Sequence, residues 1–382
     1  MKFLAALTLA LSATAGALAQ SSGNATAFAE GLLGALRANN LSMLADAVGN
    51  NSQALLGALQ GGNKTVLAPS NAAFMALGNN VDNQTLIATI AYHVLNGSYT
   101  DNTIGTNNKT IAASALSMSQ FVSLPRNRSQ VVVLSKHANN NTAYVQLASG
   151  NVSFAMAGDG PQYQNIRVQP IEQVLTIPPN TSAVAGELGA SQLATLLTNA
   201  NLVEALDSSV VTVFAPTNQA IQQVQSTVEA ATEQQRTAVL LNHVVNGTVV
   251  YSTSLANTKN AISAAGNELM FMTNSSGAYV QSGNITAKIV ASDYIAKNGV
   301  VHVIDRVLVN TTQNTAAASS AYAAATSMAG TQTAAPGVGP TASGSGSGSG
   351  NGASGNGANA LQVSSGAAAI AALLGSGFWL LA

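Results

Sequence analysis

No cysteine occurs anywhere in the 382 residues, which removes three chemistries at once: a disulfide framework, a thiol nucleophile and a thiolate metal site. Charge is nearly as scarce. Charged side chains make up 7% of the chain, against about 25% in ordinary soluble proteins, so something other than charge must keep it in solution. The 13 Lys and Arg are balanced by 14 Asp and Glu and form neither a basic stripe nor an acidic tail, which excludes nucleic acid as a main partner. Catalytic signatures are missing too. There is no G-x-S-x-G nucleophile elbow. Gly57 to Thr65 (GALQGGNKT) imitates a phosphate-binding loop, but Asn63 separates the last glycine from Lys64 and no strand precedes it. The four histidines, His93, His137, His243 and His302, show no His-x-x-x-His or Glu-x-x-His spacing, so no metal site is expected. The 14 acids offer no repeated close pair of the kind glycoside hydrolysis requires. The expectation is a chain with no catalytic residue, no cofactor and no metal.

What is present begins at the two ends. MKFLAALTLALSATAGALAQ has a single Lys2, an apolar run from Phe3 and the small-x-small triplet Ala17-Leu18-Ala19, the pattern of a secretory signal peptide over 1–19. A first helix buried in a core is the alternative, and nothing capped or amphipathic supports it. Residues 313–356 are rich in Gly, Ser, Ala and Thr and read as a flexible stalk. Gly366 to Ala382 is apolar to the last residue, and the last basic residue of the chain is Arg306. An apolar end with no charge behind it fits the signal for a glycosylphosphatidylinositol (GPI) anchor over 357–382, with Asn356 as the attachment residue and Ser354 or Asn351 as alternatives. The expected location is therefore extracellular, at the cell surface, on the plasma membrane through lipid or in the cell wall.

Sugar can stand in for the missing charge. Fifteen N-x-[ST] acceptors occur, at Asn24, Asn40, Asn50, Asn63, Asn83, Asn96, Asn108, Asn127, Asn140, Asn151, Asn180, Asn246, Asn274, Asn284 and Asn310. With 37 Asn and 70 Ser or Thr in the chain, random placement gives about seven, and in an exported protein such sites accept a bulky solubilising group at the surface.

The interior is written twice. TVLAPSNAAF (65–74) matches TVFAPTNQAI (212–221), YHVLNGS (92–98) matches NHVVNGT (242–248), AYVQ recurs at 143–146 and 278–281, and VQPIEQVL (168–175) matches VHVIDRVL (301–308). The order is the same in both copies, and the offsets fall from 147 and 150 to 135 and 133. The first copy thus carries an insertion, placed within the polar stretch Thr100 to Gln130. Two domains are expected, over 25–178 and 182–310, with a period too long for a solenoid. In each, a β-branched strand ends at a proline, and Ser70 or Thr217 is placed to cap the helix that follows. FAEGLLGAL, LSMLADAV and QLATLLTNANLVEAL carry helical spacing ahead of this corner; VVVL, AYVQLA, VSFAMA, ELMFM, ITAKIVA and VVHVIDRVLV read as strands behind it. Helices ahead and strands behind make an α+β domain.

TVFAPTN, the His after an apolar run and NGVVHVIDRVL (298–308) resemble the signature of fasciclin domains, across about Ala25 to Asn310. The second copy matches closely, whereas the first has NIRVQPIEQVL in place of the Gly-Val-Val-His pattern. The resemblance implies a wedge of β-strands with helices packed on it, tandem domains in the layout of fungal fasciclin-like surface proteins, and adhesion to surface or matrix proteins or glycans. In that family a Tyr-His pair is linked to adhesion, which makes Tyr92, His93 and the equivalent His243 the adhesion-motif candidates; only Tyr92-His93 matches in full, since Asn242 stands where the second copy would need Tyr. Read from the residues alone, a His within an apolar segment is most often a packed side chain whose nitrogens bond to nearby backbone, and that is the leading reading for His93 and His243; the adhesion role is the alternative that the resemblance implies. At the level of function, an enzyme acting on cell-wall polysaccharide and a lipid-binding surface protein stay open beside adhesion.

Overall fold

The computed structural model describes residues 26–329 except 79–80, 101, 107–108, 140 and 157. The expected signal peptide, the anchor signal with Asn356, and the sequons at Asn24, Asn108 and Asn140 lie outside the described residues. Two compact units divide at Pro178/Pro179.

In the first unit, helices α1 (26–38), α2 (Ser42–Asn50) and α3 (Ser52–Leu59) lead into strand β1 (Lys64–Pro69); α4 (Asn71–Leu77), α5 (Asn83–His93) and β2 (Val94–Asn96) follow. Then come β3 (Thr110–Ala113), β4 (Val131–Lys136), β5 (Ala143–Leu147), β6 (Gly150–Ser153), β7 (Gln162–Tyr163) and β8 (Ile166–Ile171). The helices face the strands because their apolar residues recur on one side: Leu32 and Leu36 of α1, Leu44 and Val48 of α2 and Leu55 of α3 join Val66, Ile90 and Val168 in one buried cluster. Strand β1 pairs parallel with β8 and antiparallel with β2.

The second unit repeats the plan: α6 (Thr181–Glu187), α7 (Ser191–Asn199), α8 (Val203–Ser208), β9 (Val211–Pro216), α9 (Asn218–Gln223), α10 (Gln225–Ala230), α11 (Glu233–Asn242), β10 (Val244–Asn246) and α12 (Ser252–Thr258). It closes with β11 (Asn260–Ile262), β12 (Glu268–Asn274), β13 (Gly277–Ser282), β14 (Ile285–Ala296), β15 (Gly299–Ile304) and α13 (Thr315–Ala329). Leu269, Phe271, Val280, Ala287 and Ile289 point inward from β12–β14 onto Phe214, Leu255 and Ile304.

The sheets differ between the copies for a local reason. In the second unit all strands form one sheet, β10-β9-β15-β14-β13-β12-β11, because the 12-residue β14 spans both halves, bending at register shifts around Ala291 with Asp293 at φ 58°. In the first unit the matching stretch is broken. Strand β6 stops at Ser153, and Gly158, Gly160 and Pro161 intervene before β7, so two four-stranded sheets, β2-β1-β8-β7 and β3-β4-β5-β6, touch through the single bridges Leu95↔Ser114 and Phe154↔Ile171. The reading of VSFAMA as one strand is corrected accordingly.

Three further expectations change. QLATLLTNANLVEAL forms two helices, because Asn201 takes φ 55° and the Leu202 N–H returns to the Leu197 carbonyl, closing α7. The stretch Thr100 to Gln130, read as polar, contributes β3 and buries the apolar Ile104, Ile111, Leu116 and Val122. Residues 315–329, expected as the start of the stalk, are the helix α13.

Candidate functional site

The repeated corner carries the most side-chain chemistry. Pro69 and Pro216 are the last residues of β1 and β9. One residue on, the Ser70 hydroxyl accepts from the Ala73 N–H at 3.2 Å and the Thr217 hydroxyl from the Ala220 N–H at 3.1 Å. Ser70→Ala and Thr217→Ala are each expected to lower the stability of their own domain by about 1 kcal/mol, read as a shift in denaturant midpoint with unchanged slope. The next residue is Asn in both copies, and its role was not foreseen. Asn71 accepts from the Met43 N–H at 3.0 Å and donates to Ser42 Oγ, while Asn218 accepts from the Gln192 N–H at 3.1 Å and donates to Ser191 Oγ. Each therefore ties the first turn of α2 or α7 to the corner. On the strand itself, Thr65 donates to the Gly97 carbonyl and accepts from the Tyr99 N–H, as Thr212 does with the Thr248 carbonyl and the Val250 N–H.

The two paired histidines act as pins. His93 and His243 are each 2% exposed. Nε2 of His93 accepts from the Leu175 N–H and Nε2 of His243 from the Leu308 N–H, both at 2.9 Å. The ring proton must then sit on Nδ1, which donates at 2.7 Å to the carbonyl four residues back, Thr89 or Val239. Each ring thus joins the end of a helix to the chain four residues past the last strand of its corner sheet. Burial pushes both down from 6.5 to about 4. Tyr92 is 1% exposed, and its hydroxyl donates to the Val131 carbonyl. Asn242, in the position of Tyr92, instead donates to Ser282 Oγ and the Leu308 carbonyl and accepts from Ser263 and Asn267. The structure places all three adhesion-motif candidates in the interior, so any influence they have on a partner passes through the fold they hold together.

The Fasciclin domain family matches residues 39–154 and 188–310. The chain belongs to the fasciclin domain family. Among curated relatives, a fasciclin-like arabinogalactan protein of Cercospora beticola, CTB11, is 24% identical over 255 residues, covering 64% of this chain and 67% of the relative. A fasciclin-like arabinogalactan protein of Arthroderma benhamiae is 26% identical over 261 residues, covering 64% of this chain and 58% of the relative, so the chain spans little more than half of that protein. A third, elcF of Phaeosphaeria nodorum, is 26% identical and covered over 78% of its length. Among solved structures, the FAS1 domain pair of the insect cell adhesion molecule Fasciclin I aligns at 15% identity with a TM-score of 0.35, covering 71% of this chain and 97% of that one.

Within the fasciclin domains, three aspartates hold backbone. Asp207 accepts from the Ser182 N–H at 2.9 Å, Asp293 from the Ser252 N–H at 2.7 Å and Asp305 from the Lys288 N–H at 2.7 Å. Asp305 thus bonds the backbone of a neighbouring strand, while Glu172, at the equivalent position of the first copy, is exposed. His302 accepts on Nδ1 from the Asp293 N–H, lies 2.8 Å from the Val250 carbonyl through Nε2 and stacks on Phe214. His137, half-buried, lies 4.4 Å ring to ring from Tyr144. Among the described residues no group of three His, Asp or Glu is arranged to hold a metal. No described helix is long and apolar enough to cross a membrane.

The sequon asparagines are distributed over the surface of both fasciclin domains. Of the 12 within the described residues, nine are exposed: Asn40, Asn50, Asn63, Asn83, Asn127, Asn151, Asn180, Asn274 and Asn284. Asn96, Asn246 and Asn310 are half-buried. Asn96 has its acceptor nitrogen engaged, donating to the Ser114 carbonyl, while its oxygen accepts from Lys64. In the second fasciclin domain Val211 stands opposite Asn246 in the strand pair, where the first has Lys64 opposite Asn96, and the Asn246 oxygen has no partner. An apolar cavity of about 50 Å³ lies in the same domain, lined by Leu193, Leu196, Ile221, Val239, Leu240 and Val309.

Proposed function

We propose that this protein is an exported cell-surface glycoprotein that works by non-enzymatic contact with proteins or glycans of a neighbouring surface or matrix, tethered by lipid at Asn356. The observation that carries this reading is where the two fasciclin domains spend their polar groups. His93, His243, Asp207 and Asp305, which could do chemistry, are bonded to the chain itself, while nine of the 12 described sequon asparagines face solvent. A scaffold tied off inside and open to sugar outside suits display, with weak contacts summed over many copies. The arabinogalactan-protein names of the relatives support the glycoprotein half of the reading. A wall-polysaccharide enzyme would need two free carboxylates in one cleft.

The test is adhesion of cells that display the protein before and after phospholipase cleavage of GPI anchors. Release of the protein with loss of binding to matrix, to a host surface or to sister cells is the expected result. Release with adhesion unchanged, or retention in the cytosol without sugar, defeats the proposal.

A further inference from the structure

The outer face of the second domain's sheet carries an apolar strip. Along β12 the residues alternate: Leu269 and Phe271 are buried, while Met270 and Met272 point outward and are 39% and 40% exposed. Met272 stands directly opposite Tyr279 on β13, which in turn faces Lys288 on β14, and Val290, 51% exposed, continues the same face. The first domain treats the same positions differently. Matching AYVQ at 143–146 with 278–281 places Val133 where Met270 is and Ser135 where Met272 is, and these are 0% and 6% exposed. The strip is thus uncovered in one copy alone. Exposed apolar patches of this kind mark an interaction site or an aggregation hazard. Charge, the usual guard, is sparse here: Glu268 and Lys288 are the charged side chains of this part of the face.

A sequon ends the strip. Asn274 is the last residue of β12 and has the same alternation as Met270 and Met272, about 7 Å along the strand from Met272. It is paired with Gly277, whose missing side chain leaves room for the Lys288 stem: a Cβ there would lie 3.2 Å from Lys288 Cε. The Asn274 oxygen accepts from the Ser276 N–H at 2.8 Å, which fixes the side chain in the turn and leaves its nitrogen, the atom a glycan joins, outside that bond. We infer that an N-linked glycan on Asn274 lies back over Met272, Met270 and Tyr279 and covers this strip. The C–H faces of pyranose rings pack on the thioether and aromatic surfaces, and the sugar hydroxyls meet water. The inference rests on the glycoprotein reading above.

The experiment uses the full chain secreted from a glycosylating host. Ser276→Ala removes the sequon while keeping the backbone N–H that Asn274 bonds; Asn274→Gln is the companion variant. The readouts are peptide mass spectrometry for occupancy, binding of a hydrophobic dye, and self-association by light scattering. The expected result is sugar on the Asn274 peptide of the parent, and several-fold more dye binding with concentration-dependent association in both variants. Adding Met270→Ser and Met272→Ser should reverse the effect. A bare Asn274 beside occupied sequons elsewhere overturns this inference alone, as does an unaltered Ser276→Ala variant. Absence of sugar from every sequon overturns the glycoprotein reading with it.

Discussion

Taking the protein from pH 7 to pH 4 is expected to cost each fasciclin domain about 3 kcal/mol, because His93 and His243 are held neutral inside. Both have pKa values near 4 when folded, against 6.5 ordinarily, and each pH unit of difference is worth about 1.4 kcal/mol. The folded values are the depressed ones, so the unfolded chain takes up protons first as the pH falls. Stability is therefore complete above about 6.5, drains away between 6.5 and 4, and changes no further on this account below 4. Against a domain stability of roughly 5–15 kcal/mol, that is a fall of about 10 °C in melting temperature, measurable by calorimetry across a pH series. His93→Leu and His243→Leu should each make one domain less stable at pH 7, since an N–H and a carbonyl lose their partner at about 1–3 kcal/mol apiece. They should also flatten that domain's response between 6.5 and 4. A variant that keeps the full slope would show that the ring is not the titrating group.

Asn298→Ala is expected to be the most damaging single polar substitution in the second domain. The side chain is fully buried; its oxygen accepts from the Thr181 N–H and hydroxyl, and its nitrogen donates to the carbonyls of Leu206 and Ser209. One amide therefore joins the start of α6, the end of α8 and the turn before β15. Truncation strands several buried groups together, and a loss of about 3–5 kcal/mol follows. Asn298→Asp should not rescue it, because a carboxylate cannot donate to the two carbonyls. The matched residue in the first domain, Asn165, is half-buried and donates to the Gly62 carbonyl at 2.6 Å, so Asn165→Ala should cost about 1 kcal/mol. Thermal unfolding that resolves the two domains distinguishes these outcomes; equal losses would refute the argument.

The parts of this fold that were legible from sequence are those in which neighbours along the chain decide the structure. A β-branched run, then Pro, then Ser or Thr specified a strand, its end and a helix cap, and Ser70 and Thr217 do cap their helices. What escaped depends on distant partners. Asn218 bonds residues 26 and 27 positions away, and nothing local distinguishes that role from a turn asparagine. Residues 315–329 are mostly Ala, Ser and Thr, a composition shared by linkers and helices, and it is the docking of Tyr322 and Ala325 onto Gly247 that makes them part of the domain. For the candidate site, repetition located His93 and His243 and their apolar surroundings pointed to packed rings bonded to nearby backbone, as they are, but the N–H partners at Leu175 and Leu308, 82 and 65 positions away, are set by strands returning over the ring and have no local signal.

That docked helix gives the molecule a mechanical character. A pull on the C-terminal side reaches the second domain through α13, whose hold includes a tyrosine and an alanine resting on a bare glycine and the Asn314 N–H bonded to the Ala265 carbonyl. These contacts are few beside the parallel pairing of β9 with β15. Drawn out from about 1.5 to about 3.4 Å per residue, the 15 residues of α13 release roughly 30 Å of slack. Under load from that side α13 is expected to peel away before β9 and β15 part, an extension of roughly 30 Å that single-molecule pulling would read as a step ahead of the main unfolding event.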